Sequence, residues 1–213
     1  MDHSERWQSL HAGDGRWVPP EARPAATMVL LRDDSVLLLK RSSTMPFAPG
    51  MHVFPGGGLA DVDSRDVDPL RACAIRETHE EVDIRVEECL LFDRWVTPEV
   101  EERRYDVYFF AAWTEDPGRL VTSEAVELRW LQPAQALKLH RRGELPMLRP
   151  TAVVLQALVD GSVTREPVGV PPAPKLPRLR ADGRWDIVHA QTQEVLFGDV
   201  AGPTTAETNS QAM

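Results

Sequence analysis

Phe54-Pro55-Gly56-Gly57, then Asp68-Pro69, then Arg76-Glu77-Thr78-His79-Glu80-Glu81 form the stretch on which the reading of this 213-residue chain turns. Asp68 suits the N-cap of a helix, because its carboxylate can accept from the free backbone N–H groups of a helix start. Pro69 suits the first helical position, where its missing N–H costs nothing. From there Ala72, Ile75 and Val82 recur at helical spacing and predict an apolar stripe. Glu77, Glu80 and Glu81 stand at i, i+3 and i+4, so three carboxylates share a face and destabilise it unless something positive sits among them. A hard divalent cation, Mg²⁺ or Mn²⁺, is the natural candidate for such oxygen ligands. The ordinary fate of an acidic helix face is simple solvation. Here Phe-Pro-Gly-Gly precedes it, a strand end followed by a turn that lets backbone approach a ligand closely.

These residues together resemble the Nudix box, G-x5-E-x7-R-E-U-x-E-E-x-G-U, with U an aliphatic residue. Gly57 matches its first glycine, and Arg76, Glu77, Glu80, Glu81 and Ile84 match its core. The chain departs from the pattern in three places. Eighteen residues separate Gly57 from Arg76 where the pattern leaves thirteen, a five-residue insertion. The first box Glu therefore has two candidate equivalents: Asp63 keeps the spacing from Gly57, and Asp68 keeps the spacing from Arg76. Thr78 replaces the aliphatic residue, and Asp83 stands where the helix-ending Gly belongs, a position Asp tolerates better than most residues.

Composition sets the frame. Hydrophobic residues make up 42% and charged residues 27%, which fits a soluble globular protein of one substantial domain. A net charge of −9 argues against general nucleic-acid or anionic-membrane binding. An acidic enzyme still accepts an anionic substrate where metal ions and local Arg or Lys reverse the field. Cys73 and Cys89, the two cysteines, read as buried reduced thiols rather than a disulfide framework or zinc site. Met1-Asp2-His3-Ser4-Glu5-Arg6 lacks the regions of a signal peptide, and no apolar run has the length of a membrane span, so the expectation is a cytoplasmic protein.

Residues 1–24 read as an irregular arm that packs Trp7 and Trp17 on the domain. Runs at 27–31 and 36–40, divided by Arg32-Asp33-Asp34-Ser35, predict paired strands. A loop at 41–50 returns the chain to a strand at 51–54. After the box helix, residues 84–86 and 90–96 look like strand material, and Thr97-Pro98-Glu99-Val100-Glu101-Glu102 is an acidic loop. Tyr105, Val107, Phe109, Ala111 and Trp113 alternate along a long strand and read as core rather than as a base-stacking platform. A short strand at 126–131 and helices at 133–139 and 151–158 follow. These elements make an α/β protein, and the resemblance implies a Nudix-type α/β/α sandwich, a mixed β-sheet between helices, over residues 25–160. Residues 161–201 form a Pro-rich extension, extended over 161–180, with a small hairpin after Asp182-Gly183. Residues 202–213 read as a disordered tail.

What the resemblance implies for chemistry is metal-dependent hydrolysis of a diphosphate linked to a nucleoside. Glu77 and Glu81 would be metal ligands, with Glu80 completing the set and the Gly56 carbonyl a further ligand. Glu80 and Glu81 count with Arg76 and Glu124 as the catalytic group. Arg76 would orient the box carboxylates by ion pairing. Glu124, six residues before Trp130, is the chosen acid from outside the box. Glu127 competes with it, and Glu99, Glu101 and Glu102 are outside alternatives. His79 reads as a packing or surface residue.

The loop carries the substrate signal. Arg41-Ser42 running back through Phe47, Pro49-Gly50 and Phe54-Pro55-Gly56-Gly57 is similar to the coenzyme A diphosphatase branch, most of all to its peroxisomal acyl-CoA relatives in animals. Arg41, Ser42, Phe47 and Gly57 are the substrate-binding candidates, Arg41 because its planar fork suits phosphate oxygens. That resemblance implies CoA or acyl-CoA cleaved to 3',5'-ADP and (acyl-)4'-phosphopantetheine. The ending Ser210-Gln211-Ala212-Met213 is not a peroxisomal signal, so the location does not carry over. The alternatives are an ADP-ribose or NADH pyrophosphatase on the same metal site, and a regulator that binds a nucleotide without turnover. Dimers are common in the family, and no stretch of this sequence identifies an interface.

Overall fold

The apolar runs at 28–31 and 36–39 lie in β1 (Arg23–Arg32) and β2 (Ser35–Arg41), and every side chain in them is buried. Continuous rather than alternating burial means that both faces of these strands are covered. Val29, Leu31, Val36 and Leu38 belong to one core, and Met28, Leu30, Leu37 and Leu39 belong to a second core on the other face. The computed structural model describes residues 1–166, 171–180 and 185–200.

β1 and β2 pair antiparallel through a two-residue turn in which Asp33 takes the left-handed conformation. β6 (Tyr105–Trp113) runs parallel to β1 along nine register pairs, Arg23↔Tyr105 to Leu31↔Trp113. β5 (Leu90–Val96) pairs antiparallel with β6, and β7 (Ala125–Leu131) pairs antiparallel with β2. Two short strands complete this part: β3 (His52–Val53) on β2 and β4 (Gly56–Gly58) on the first residues of β1. The helix α2 (Pro69–Val82) covers one face, with Cys73, Ala74 and Val82 in that core. α3 (Pro133–Arg141) and α4 (Arg149–Val159) cover the other with Ala136, Leu137, Val154 and Leu155. The result is the mixed sheet between helices expected from the sequence.

Past α4, three strands extend the sheet. β8 (Lys175–Leu179) joins β5 in parallel at Trp95↔Lys175, and β9 (Trp185–His189) and β10 (Val195–Val200) follow antiparallel. The described sheet then runs β10-β9-β8-β5-β6-β1-β2-β3, with β4 on β1 and β7 on β2. An ion pair secures the junction. Lys175 Nζ lies 2.7 Å from Asp93 Oδ1, and the buried Asp93 also accepts from Trp95 Nε1 at 2.9 Å and Arg94 N at 2.8 Å. The Asp182-Gly183 turn and the tail from Gly202 lie outside the described residues.

Several local expectations need correction. Residues 3–12 are a helix, α1 (His3–Ala12), not irregular chain. Asp2 and Glu5 form a reciprocal capping box, and Gly13 ends the helix in the left-handed conformation. Trp7, Leu10 and Ala12 are its apolar residues, while its buried positions are Arg6 and Ser9, so apolar periodicity did not mark it. Residues 84–86 form no strand; Asp83 turns the chain after α2, buried Ile84 drops into the core, and the half-buried Val86 packs against it. The strand expected at 51–54 is only two residues long, because Pro55 and the glycines divert the chain to β1. On α2 the buried row is Cys73, Ala74, Thr78, Glu81 and Val82, while Ala72 and Ile75 are half-buried. A polar Thr and Glu in that row hid its phase. Thr78 is at home there because its hydroxyl donates to Ala74 O at 2.7 Å. Both ends of α2 match their sequence signals: Asp68 accepts from Arg71 N, Pro69 opens the helix, and Asp83 closes it in the left-handed conformation. Phe109 is core, whereas Tyr105 and Trp113 are half-buried.

Candidate active site

The site forms where β4 crosses the box helix. Glu81, 8% exposed, points from α2 toward the turn and accepts from Gly56 N at 2.9 Å. A side chain at this crossing would displace a neighbour. A Cβ on Gly56 would overlap the Thr27 hydroxyl, and one on Gly57 would overlap the Glu77 carboxylate. Thr27 Oγ1 donates to Pro55 O at 3.1 Å and fixes the turn from below. Cys73, buried, sets its thiol 3.6 Å and 3.4 Å from the Gly57 and Gly58 carbonyls. Burial pushes that thiol up to about 12, so it is an inert packing group and not a nucleophile.

Arg76 is the hub. Its Nε and Nη2 meet Asp63 at 2.9 and 2.8 Å, and its Nη1 meets Glu77 at 2.8 Å and Glu80 at 3.0 Å. Nη2 also donates to Gly58 O at 3.3 Å. Asp63, 3% exposed, opens a 3-10 turn (Asp63–Arg65) between Gly57 and the box helix and accepts from Ala60 N at 2.9 Å. Bonding to Arg76 holds its carboxyl below the usual range. Of the two acids that the spacing left open, Asp63 is thus the one paired with Arg76, and Asp68 caps the helix. Arg76 sets a positive charge beside Glu77 and Glu80, while Glu81 is met by Gly56 N–H.

The outer candidates divide. Arg41 Nε donates to Phe47 O at 3.0 Å, and the Phe47 ring meets Tyr105 edge-on at 6.1 Å. Ser42 N donates to Glu124 O at 2.7 Å, tying the loop to the start of β7, while its hydroxyl lies 2.9 Å from Thr44 Oγ1. Electrostatics connects this rim to the helix. Burial is the main force that raises Glu81 to about 7; Glu77 and Glu124 raise it further, and Gly56 N–H and Arg41 oppose them. Burial also raises Glu77, with Glu80 and Glu124 adding to the effect and Arg76 opposing it. The exposed Glu124 is therefore in electrical reach of both box acids. Glu127 instead faces Arg129 at 3.5 Å and the His52 ring. Glu101 and Glu102 pair with His3 and Arg6 of α1, and the Glu99 carbonyl accepts from Trp17, so that acidic loop serves the N-terminal arm. His79 is exposed, 3.6 Å from Asp83.

The donor set suits a hard divalent ion. Glu77, Glu80, Glu81 and the Gly56 carbonyl offer only oxygen, and two of the carboxylates carry a burial penalty that a cation would relieve. As the side chains stand, among the described residues no three His, Cys, Asp or Glu groups are gathered to ligate an ion. Arg76 engages Glu77 and Glu80, and Gly56 N–H engages Glu81. Ligation would require these acids to turn from their present partners. No helix among the described residues is long and apolar enough to cross a membrane.

Sequence reasoning passed over Thr27, Cys73 and Tyr105 as parts of the site: none carries a motif signal, Thr27 and Tyr105 join it through strand register, and Cys73 joins it from the buried row of α2. Asp63 did carry one, its preserved spacing from Gly57.

The NUDIX domain family model matches residues 21–150. The chain is 24% identical over 177 residues to Putative nudix hydrolase 7 of Caenorhabditis elegans, covering 64% of this chain and 60% of that protein. It is 41% identical over 85 residues to the Uncharacterized Nudix hydrolase NudL of Enterobacter sp. (strain 638), covering 39% of this chain and 42% of that one. The chain thus spans less than two thirds of the length of either relative. Among solved structures, a NUDIX hydrolase from Alicyclobacillus acidocaldarius superimposes with a TM-score of 0.59 at 26% identity, over 66% of this chain and 92% of that chain. The NUDIX domain of Shewanella oneidensis NrtR, solved in complex with ADP ribose, shares the fold with a TM-score of 0.54 at 15% identity, over 73% and 97%. With the family match covering more than half its length and its box helix in place beneath the glycine turn, this chain belongs to the NUDIX family.

Proposed function

We propose that this protein hydrolyses a diphosphate linkage in a nucleotide derivative, with CoA or an acyl-CoA as substrate and Mg²⁺ or Mn²⁺ as cofactor. The observation that carries the reading is the buried Glu81 set against Gly56, with Glu77, Glu124 and Arg41 in electrical reach of it. Water adds to one phosphorus, the bridging P–O bond breaks, and two phosphate monoesters leave, with the water's protons passing to a carboxylate and to solvent. From CoA the products are 3',5'-ADP and 4'-phosphopantetheine. A divalent ion held by Glu77, Glu80, Glu81 and the Gly56 carbonyl would neutralise phosphate charge and lower the pKa of the attacking water. Arg76 keeps the box acids in register. Arg41 offers its planar fork to phosphate oxygens, and Glu124 stands at the rim as an acid or base. Ser42, Phe47 and Gly57 wall the substrate. We place the enzyme in the cytoplasm, and cell fractionation tests that; light scattering of the purified protein tests for a homodimer.

The same acids would serve an ADP-ribose or NADH pyrophosphatase, a reading favoured by the ADP ribose bound to the NrtR domain of like fold. Product analysis separates the readings. Incubation with Mg²⁺ or Mn²⁺ and a panel of CoA, an acyl-CoA, ADP-ribose, NADH and a nucleoside triphosphate is expected to release 3',5'-ADP from the CoA compounds. AMP from ADP-ribose or NADH alone replaces that substrate assignment with the pyrophosphatase. Tight binding without turnover makes the protein a regulator. Glu81→Gln should lower turnover by a factor on the order of 10² or more while leaving the melting temperature unchanged or raised, since an amide avoids the cost of burying a charge. Wild-type turnover in that variant would overturn the assignment of Glu81.

A further inference from the structure

We propose that the N-terminal arm positions the substrate wall of the cleft, with Arg6 and Trp17 as positioning residues that act through the acidic loop on Phe47. The inference rests on the reading that Arg41 and Phe47 bound the substrate. A continuous set of contacts supports it. Arg6 pairs with Glu102, and its guanidinium lies 5.0 Å from the centre of the Trp17 ring. Trp17 Nε1 donates to Glu99 O at 2.8 Å, and His3 Nε2 lies 3.6 Å from Glu101. Two carboxylates and one backbone carbonyl of one loop are therefore engaged from one side by one arm. The far end of the loop is held as well. Arg104 donates to Thr97 O at 3.1 Å and to Pro20 O at 2.9 Å, and Thr97 and Tyr105 exchange backbone and hydroxyl bonds that close the loop. Tyr105 then presents its ring to Phe47, whose carbonyl holds Arg41.

The chemistry of the arm favours positioning over anchoring. α1 contributes no apolar residue to either main core; its buried side chains are Arg6, 8% exposed, and Ser9. Apolar contacts hold an element in many nearby geometries, whereas a desolvated guanidinium is tolerable only where its carboxylate and ring partners meet it. Arg6 Nε and Trp7 Nε1 are buried and have no hydrogen-bond partner among the described residues, so this docking has little stability to spare. One arrangement of the loop, and with it of Tyr105 and Phe47, satisfies the charges.

The test uses the full chain and the variants Arg6→Met, Trp17→Phe, Phe47→Ala and the Arg6→Met/Phe47→Ala pair. Hydrogen exchange without substrate comes first. Arg6→Met should speed amide exchange about three- to tenfold at 97–105 and also at 41–50. Faster exchange at 97–105 with 41–50 unchanged overturns the proposal. In kinetics on whichever diphosphate the wild-type protein hydrolyses, Arg6→Met and Phe47→Ala should each raise KM about three- to tenfold with kcat within about twofold. Their effects on KM should combine to less than the product in the pair. Unchanged KM, or factors that multiply, refutes the coupling. Trp17→Phe keeps the ring under Arg6 but removes the donor to Glu99, and it repeats the test should Arg6→Met fail to fold. Failure of the wild-type protein to hydrolyse any diphosphate would refute the proposed function, and the exchange result would still decide the coupling.

Discussion

Asp63 and Asp68 were equally placed by spacing, and a paired substitution separates them. Asp63→Asn preserves shape and one carbonyl oxygen but removes the charge that meets Arg76 at 2.9 and 2.8 Å. Breaking a buried ion pair costs about 3–5 kcal/mol. Arg76 keeps Glu77 and Glu80, and its side chain is 21% exposed, which lowers the expected cost to about 2–3 kcal/mol. For a domain of this size that is a fall in Tm of about 4–12 °C. Asp68→Asn should cost less than about 0.5 kcal/mol, because Asn is as good an N-cap as Asp. Urea titration monitored by circular dichroism measures both. The pH dependence supplies an independent check. The Asp63 carboxyl is depressed in the fold, so its contribution is complete above about pH 4 and is lost as pH falls further; Asp63→Asn should flatten that acid limb. Equal costs for the two variants, or a greater cost for Asp68→Asn, would refute the assignment of Asp63 as the partner of Arg76.

Gly57→Ala sets a methyl group into the Glu77 carboxylate and should lower turnover at least about tenfold by displacing it, with little change in Tm because the end of that side chain can move, read from initial rates and thermal melts. His52 is buried with Nδ1 3.2 Å from Pro146 O and no partner for Nε2 among the described residues, and desolvation holds its pKa below the usual value. The unfolded chain therefore binds the extra proton first, so stability falls as pH drops below about 6.5. His52→Asn should remove that fall, a difference of at most about 1.4 kcal/mol per pH unit between pH 6.5 and 5 in urea titrations; parallel curves for the two proteins would refute it.

Much of the site was legible locally. The cap, the N1 proline and the left-handed Asp83 all depend on residues within one helix and its ends, and short-range sterics and hydrogen bonds decide such features wherever the helix docks. The continuous apolar runs of β1 and β2 likewise announced strands covered on both faces. α1 escaped notice because its buried positions are Arg6 and Ser9, and its few apolar residues, Trp7, Leu10 and Ala12, do not trace that buried row. The buried row of α2 was misphased for a related reason: Thr78 and Glu81 occupy it, one satisfied by the helix backbone and the other by Gly56.

The sequence by itself determined the family, the mixed sheet between helices, and the set of carboxylates crowded on one helix, since each is written in residue spacing along a short stretch. Only the tertiary structure decided that Asp63 and not Asp68 meets Arg76, that Glu124 and not Glu127 is felt by Glu77 and Glu81, and that Glu99, Glu101 and Glu102 belong to the N-terminal arm. These are contacts between residues far apart in the chain. Their partners are chosen by strand register and loop closure, and the charge of a side chain does not disclose which opposite charge the fold will bring to it.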